Sequence, residues 1–256
     1  MSVELPGYNP ATGSAVAMQA GMRNLAATDF PAPTEIFAYG AGCGAKDRAE
    51  RMRTALAEVW PTANVSVETD LLGAARGLYG KDSGLVLILG TGMNAGHYDG
   101  QHLHTPMPSL GYILGDEGSG ADIGKHLLRD ALYDTLPGTL REELFPGGID
   151  LVAVLEATYR SAAPQAYLAS FTGALAKYLD VTYVQDLIAS RFFALTRVLS
   201  RSFSAQELQQ VRASGSVASG FQGVLRDVLA ERRMHLTAVV RDPLPGLVAY
   251  HAKATP

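Results

Sequence analysis

The 256-residue sequence holds one cysteine, Cys43. One thiol cannot close a disulfide within the chain, which fits a reducing compartment. It also excludes a multi-cysteine zinc site, or an iron–sulfur cluster held by cysteines of a single chain. Charge is sparse at 18%, and Lys and Arg form no block. A nucleic-acid binder would show a basic patch, so no nucleic-acid partner is expected. Long apolar runs are missing too. Leu85-Val86-Leu87-Ile88-Leu89 falls far short of the roughly 20 residues that span a bilayer. The opening residues lack the basic region and apolar core of a signal peptide. The expectation is a cytoplasmic protein with no membrane partner. No repeat at a fixed period and no low-complexity tract is present.

Hydrophobic residues make up 47% of the chain, a globular balance with ample core material. The length allows one large domain or two modest lobes. The formal net charge is -4 and the pI about 5.9. A mildly acidic surface still admits a nucleotide where the site is built of backbone N–H groups.

Strand-like and helix-like segments alternate, which argues for an α/β protein. Pro31 and Pro33 precede a strand over 35–39, and the loop Gly40-Ala41-Gly42-Cys43-Gly44 follows. Residues 46–60 read as an amphipathic helix with Met52, Leu56, Val59 and Trp60 on one face. A strand at 64–68 leads into a helix from Asp70 to about Tyr79. The all-apolar run 85–89 reads as a strand buried on both faces, expected at the centre of a sheet. It ends in Gly90-Thr91-Gly92. A hairpin turning at Asp99-Gly100 follows, then a glycine-rich loop from Gly111 to Gly120 that feeds a helix. Residues 150–203 read as mostly helical. A strand–turn–helix unit runs from Gln210 through Gly215-Ser216 to Arg232, and a short helix closes the chain.

Each motif carries two readings. Gly90-Thr91-Gly92 is either a tight turn or a loop whose N–H groups meet phosphate oxygens. Asp70 or Thr69 is either a helix N-cap, or Asp70 is a general base at a strand's carboxyl end, where open α/β sheets bind ligands. Gly115-Asp116-Glu117-Gly118-Ser119-Gly120 is either a solvated turn with Ser119 capping a helix, or a carboxylate loop for sugar hydroxyls or hydrated Mg²⁺. Gly215-Ser216-Val217-Ala218 offers small residues that pack closely or admit an adenine ring. His102 and His104 share a strand face by period-two spacing. With His97 they lack a well-placed further ligand, so a solvent-facing hairpin is expected and no metal residue is assigned. Cys43, between glycine and alanine neighbours, reads as a small packed side chain.

The order of these motifs carries more than any one of them. Asn9-Pro10, Tyr39-Gly40-Ala41-Gly42-Cys43, Glu68-Thr69-Asp70, Gly90-Thr91-Gly92-Met93-Asn94, the stretch from Gly111 to Gly120, Tyr167-Leu168-Ala169-Ser170-Phe171 and Gly215-Ser216-Val217-Ala218 follow in turn. The series resembles the BadF/BadG/BcrA/BcrD-type ATPase family, in its N-acetylglucosamine-kinase-like branch, over nearly the whole chain. The resemblance implies two ribonuclease-H-like lobes of the actin/hexokinase-like ATPase fold, with ATP between them. The lobes are expected at 1–80 and 81–256, with a final helix at about 244–253 packing back on the small one. It implies ATP and Mg²⁺ as cofactors, an amino sugar as substrate, and a homodimer as one compatible state. By the resemblance, Asp70 is the base that takes the hydroxyl proton. Asn9, Gly92, Met93, Asn94 and Asp116 lie at the sugar. Gly90, Thr91 and Gly92 meet phosphates, and Gly215 and Ser216 pack against adenosine.

Two departures from the pattern matter. Met93 stands where the family has a serine, and a thioether cannot donate an O–H bond. The family's opening hairpin, whose loop binds phosphates and whose Asp helps hold Mg²⁺, is not in the sequence. The expectation is a small lobe short of its first strands, with weak or undetectable turnover and residual sugar binding. An inactive sugar-binding remnant is the alternative. An activator of a radical dehydratase fits less well, because its bridging cluster draws on cysteines.

Overall fold

Alternation along Asn64-Val65-Ser66-Val67-Glu68-Thr69 sets the first sheet. The computed structural model describes residues 15–26 and 31–254, and Asn9 lies outside the described residues. The chain divides into two units, Met1–Gly73 and Ala74–Pro256. In the first, α1 (Ala15–Ala26) is followed by β1 (Glu35–Gly40), α2 (Lys46–Val59), β2 (Asn64–Thr69) and α3 (Asp70–Tyr79), which runs across the division. β1 and β2 pair in parallel, from Glu35↔Asn64 to Gly40↔Thr69. Parallel strands need a crossover, and α2 supplies it. Its Met52, Ala55 and Leu56 are buried with Met18 and Cys43, against Val65 and Val67 from β2. Cys43 is the packed thiol expected, with Sγ 3.5 Å from the Met52 sulfur. The register brings the loop after Gly40 and the start of α3 to one carboxyl edge.

The second unit holds β3 (Gly84–Leu89), β4 (Met93–Tyr98), β5 (Leu103–His104), α4 (Gly111–Leu114), α5 (Gly120–Leu132), α6 (Gly138–Leu144), α7 (Leu151–Tyr159), α8 (Pro164–Ser170), α9 (Thr182–Ser202), β6 (Val211–Ser214), α10 (Ser216–Gly220), α11 (Gln222–Glu231), β7 (Leu236–Val240) and α12 (Leu244–Ala254). Its sheet has the order β5-β4-β3-β6-β7. β3 is central, as its apolar run requires, and Leu85, Val86, Leu87 and Leu89 are fully buried. It pairs antiparallel with β4 and parallel with β6, and β6 pairs parallel with β7. The large core joins the sheet to α5, α9 and α11 through residues such as Ile123, Phe192 and Leu225.

Three elements differ from the sequence reading. Residues 93–98 form a full strand, although Met-Asn-Ala-Gly-His-Tyr has little β propensity; pairing with the buried β3 imposes it. A helical turn, α4, sits inside the expected glycine-rich loop. β7 is an additional parallel strand. The hairpin turn falls at Asp99 and Gly100 as read, with the Asp99 carboxylate accepting from the N–H groups of Gln101 and His102. His102 and His104 are exposed, and His97 lies 3.7 Å from Glu207.

Two helix crossings depend on glycine. A Cβ on Gly124 would stand 1.9 Å from the Leu168 carbonyl oxygen, where α5 meets α8. A Cβ on Gly246 would stand 2.0 Å from the Gly77 carbonyl, where α12 meets α3. Backbone at such distances cannot yield as a side chain does. Gly124→Ala should therefore lower the melting temperature by roughly 3–10 °C. Gly147→Ala, where nothing lies within 4 Å of the added methyl, should leave it within about a degree. Equal melting temperatures for the two variants would show that the crossing is looser than described.

Candidate functional site

The site of the second unit begins where its parallel strands end. Leu89 of β3 pairs with Met93 of β4, so Gly90-Thr91-Gly92 is a three-residue hairpin. The Gly90 N–H donates to the Gly92 carbonyl at 3.1 Å, closing the turn. The Gly90 and Thr91 carbonyls accept from Gly120 and Ala121 at the start of α5, at 2.8 and 3.1 Å. The first amides of α5 are thus directed at the hairpin.

β6 is followed by Gly215, whose φ of 114° lies where side chains are disfavoured. A Cβ there would stand 2.2 Å from the Leu89 carbonyl, so the residue must be glycine for the two strand ends to lie side by side. Together the ends of β3, β6 and β7 wall a cavity of about 400 Å³ lined by Gly90, Thr91, Ser216, Gly220 and Arg241, with one face of α8 opposite. That volume suits a small-molecule site, and the carboxyl edge of parallel strands is where such sites form. An added Cβ on Gly90 or Gly220 meets nothing within 4 Å, so both glycines front open space. Four residues named from the sequence, Gly90, Thr91, Gly215 and Ser216, therefore gather at one strand edge.

The acidic loop adjoins this hairpin. Asp116 is only 5% exposed and holds φ at 59°, a left-handed conformation that Asp tolerates better than most residues. It is therefore no solvated turn. The Met93 N–H donates to its carboxylate, and the Gln165 amide donates to Oδ2 at 3.1 Å. A Cβ on Gly92 would stand 2.8 Å from Gln165 Nε2 and 3.0 Å from Asp116 Oδ2. Gly92, Asp116 and Gln165 thus meet at one point. Burial holds the Asp116 carboxyl above its usual range, the Met93 N–H opposes that, and the charges of Glu117 and Asp122 add to it. Met93 itself is buried and lines a second cavity of about 180 Å³ with Asp116, Met107 and Val198. Asn94 is half-buried on β4, its side-chain oxygen accepting from the Ala95 N–H.

Asp122, in the first turn of α5, organises the loop. Ser119 caps the helix by accepting from the Asp122 N–H at 3.2 Å, and Asp122 Oδ2 reaches back to the Gly118 N–H at 3.0 Å, a relative of the capping box. Arg191 on α9 donates its Nε–H to the same oxygen at 2.9 Å. Burial alone would raise the Asp122 carboxyl. His126, the Gly118 N–H and Arg191 outweigh it and hold the group at about 2.

In the first unit, Thr69 and Asp70 divide two tasks that the sequence leaves open. The Thr69 hydroxyl accepts from the Leu72 N–H at 3.1 Å, which makes it the cap. Asp70 Oδ1 accepts from the Leu71 N–H at 2.9 Å, and its other oxygen is free of that duty. Burial raises the Asp70 carboxyl while backbone N–H groups pull it down. Its charge helps raise the Cys43 thiol, after burial, so it lies beside the loop that follows β1. Gln165, Arg191 and Arg241 are site residues the sequence reading does not name. Each is an isolated polar residue on a helix or at a strand end, without a pattern around it. Among the described residues, no group of three or more His, Cys, Asp or Glu side chains could hold a metal ion, and no helix is long and apolar enough to cross a membrane.

No protein-family model matches the chain, and no curated protein sequence matches it. Solved structures do. The putative N-acetylglucosamine kinase from Porphyromonas gingivalis is 31% identical, with 96% of this chain and 89% of that one aligned and a TM-score of 0.89. A putative N-acetylglucosamine kinase from Chromobacterium violaceum is 21% identical over 94% of this chain and 87% of that one, with a TM-score of 0.64. The MamK double helical filament aligns with 97% of this chain and 80% of its own at 13% identity, with a TM-score of 0.59. The last two likenesses speak for the fold alone, which is the actin/hexokinase-like ATPase fold expected from the sequence.

The Asp122 carboxyl generates a prediction. Its folded value of about 2 lies below the ordinary 3.8, so the contribution to stability, roughly 2 kcal/mol, is present above about pH 4 and vanishes as pH falls through 2. Asp122→Asn should remove that part of the acid unfolding curve and cost about 3 kcal/mol at neutral pH by leaving Arg191 unpaired. Acid titrations of wild type and variant that superimpose would refute it.

Proposed function

On the premise that this chain belongs to the family of the putative N-acetylglucosamine kinase from Porphyromonas gingivalis, a family of sugar kinases, we propose that it transfers the γ-phosphoryl group of ATP to a hydroxyl of an amino sugar. The observation that carries the reading is the meeting of Gly92, Asp116 and Gln165 beside the cavity at the strand ends. A buried carboxylate for sugar hydroxyls stands next to an open glycine-walled space for a nucleotide. ATP would lie along Gly90, Thr91, Gly215 and Ser216, with its phosphates toward the hairpin. Mg²⁺ commonly keeps several waters and takes phosphate oxygens as ligands. When bound, it neutralises phosphate charge.

Asp70 is the proposed base. In the transfer, the sugar oxygen bonds to the γ-phosphorus, the bond to the bridging oxygen of ADP breaks, and the hydroxyl proton passes to Asp70. A carboxylate raised by burial is a better proton acceptor than an exposed one. Asn9, Asn94 and Met93 complete the proposed sugar contacts, Met93 with a thioether in place of a hydroxyl. Such a kinase works where ATP is, and we place it in the cytoplasm. The one cysteine is buried against Met52, a poor ligand for a shared iron–sulfur cluster, so the dehydratase-activator reading is set aside.

An ADP-release assay over N-acetylglucosamine, glucosamine and glucose tests the proposal. Amino-sugar-dependent turnover is expected. Asp70→Asn should lower it about 10²–10⁴-fold. The acid limb of kcat/KM should lie above the ordinary carboxylate value of about 3.9 and be absent from the variant. Turnover unchanged by Asp70→Asn would remove the residue from the chemistry.

A further inference from the structure

Gln165 has no place in the sequence reading, yet its amide bonds the Asp116 carboxylate beside Gly92. We propose that Gln165 and Asp116 act as one unit that reads adjacent sugar hydroxyls, with Gln165 the specificity-determining member; the inference rests on the sugar-kinase reading above.

Four observations carry it. The hydrogen bond from Gln165 Nε2 to Asp116 Oδ2, at 3.1 Å, joins residues 49 apart in sequence. Asp116 is buried, whereas Gln165, at the start of α8, is half-buried. Gly92 keeps the space beside both heteroatoms clear, since a Cβ there would crowd Nε2 and Oδ2 together. Finally, the same short helix lines the strand-edge cavity through Ala166, Ala169 and Ser170. Gln165 therefore sits between the proposed sugar carboxylate and the proposed nucleotide wall.

The chemistry follows from the inventory of groups. A glutamine amide offers two N–H donors and a carbonyl acceptor. One N–H is committed to Asp116, which leaves one donor and the acceptor. The carboxylate, holding the Gln165 and Met93 N–H groups, keeps lone pairs to accept from hydroxyls. Side by side, the two groups offer an acceptor next to a donor–acceptor, a pattern that matches two neighbouring hydroxyls on a pyranose ring. The amide also fixes the carboxylate's rotation, because a carboxylate bonded on one oxygen presents the other in a set direction. A sugar lacking one of those hydroxyls would leave a buried group unmatched, and such mismatches are costly.

The test measures dissociation constants by calorimetry for N-acetylglucosamine, glucosamine and ATP, with melting temperatures as a control on folding. Gln165→Ala should weaken sugar binding about tenfold or more, leave the ATP constant within about twofold, and keep the melting temperature. Singly deoxygenated sugars then locate the contact. One deoxy sugar should bind the wild type at least about tenfold more weakly, and bind Gln165→Ala no worse than the parent sugar does. Gln165→Glu supplies a readout that mere packing would not move. Two carboxyls about 3 Å apart share one proton. With that proton in place, the new carboxyl donates to Asp116 as the amide did. Sugar binding by Gln165→Glu should thus recover in part at about pH 5, short of wild type because the amide's second donor is gone, and fall away by about pH 8, while the wild type stays level. Wild-type sugar affinity in Gln165→Ala, or a flat pH profile in Gln165→Glu, overturns the inference. Failure of the wild-type chain to bind any sugar overturns the kinase reading instead.

Discussion

The second unit hangs on one buried charge. The Asp122 carboxylate is 3% exposed and would not stay ionised there unaided. It does so because the Gly118 N–H and the Arg191 guanidinium donate to it, and His126 and Lys125 approach its other oxygen at 3.4 and 3.7 Å. Everything around the hairpin follows from that anchorage. Gly118 must turn back over the carboxylate with φ at 77°. A Cβ there would stand 3.1 Å from Phe192, so the loop lies flat on α9. The loop so pinned can hold Asp116 in a left-handed conformation costing roughly 1–2 kcal/mol. Strain of this kind commonly collects at functional sites.

A second constraint is the closeness of backbone to backbone. The Gly120 N–H reaches the Gly90 carbonyl, and the Gly120 carbonyl accepts from the Thr172 hydroxyl at 2.7 Å. Hairpin, α5 and the end of α8 are thereby tied into one block. The same ties decide how an anion can be held. The leading amides of α5 are already engaged by the hairpin carbonyls, so the helix gives its partial positive charge to the turn rather than to open space. A phosphate at this edge would be met by the outer rim of the turn, by exposed Thr91, and by Arg241 at the end of β7, with the helix acting through the hairpin it supports.

These constraints explain what could be read from the sequence. The central place of β3 was legible because a strand buried on both faces must be apolar throughout, and Leu85 to Leu89 meet that demand with no other use in view. Gly215 was legible because its backbone conformation and the nearby Leu89 carbonyl exclude other residues, and Thr69-Asp70 because a strand running into a helix calls for a cap. Gln165 and Arg191 were not. A glutamine at the start of a helix and an arginine in the middle of one have many solvent-facing uses. Only the α8–α5 crossing at Gly124, and the packing of Gly118 on α9, bring them to Asp116 and Asp122. β4 stayed hidden for a related reason: Asn94 and Gly96 carry no strand preference, and the pairing with β3 supplies what they lack.

Three carboxylates show how environment gives a single side chain three settings, which suit the three tasks proposed for them. Asp122 is buried with donors on every side, so its charge is fixed and its role is to hold backbone in place. Asp116 is buried with fewer donors and with Glu117 and Asp122 as like-charged neighbours, so its carboxyl rises. It keeps spare lone pairs, and those suit it to orienting hydroxyls that bring their own protons. Asp70 is half-buried and relieved of capping by Thr69, with one oxygen bonded to the Leu71 N–H, and its carboxyl also rises. A carboxylate raised by desolvation is the kind that can take a proton. Exchanging any two of these settings would undo both roles. An Asp116 as tightly held as Asp122 would have no lone pair left for a sugar, and an Asp122 as loosely held as Asp70 would protonate and release the loop that aims Asp116.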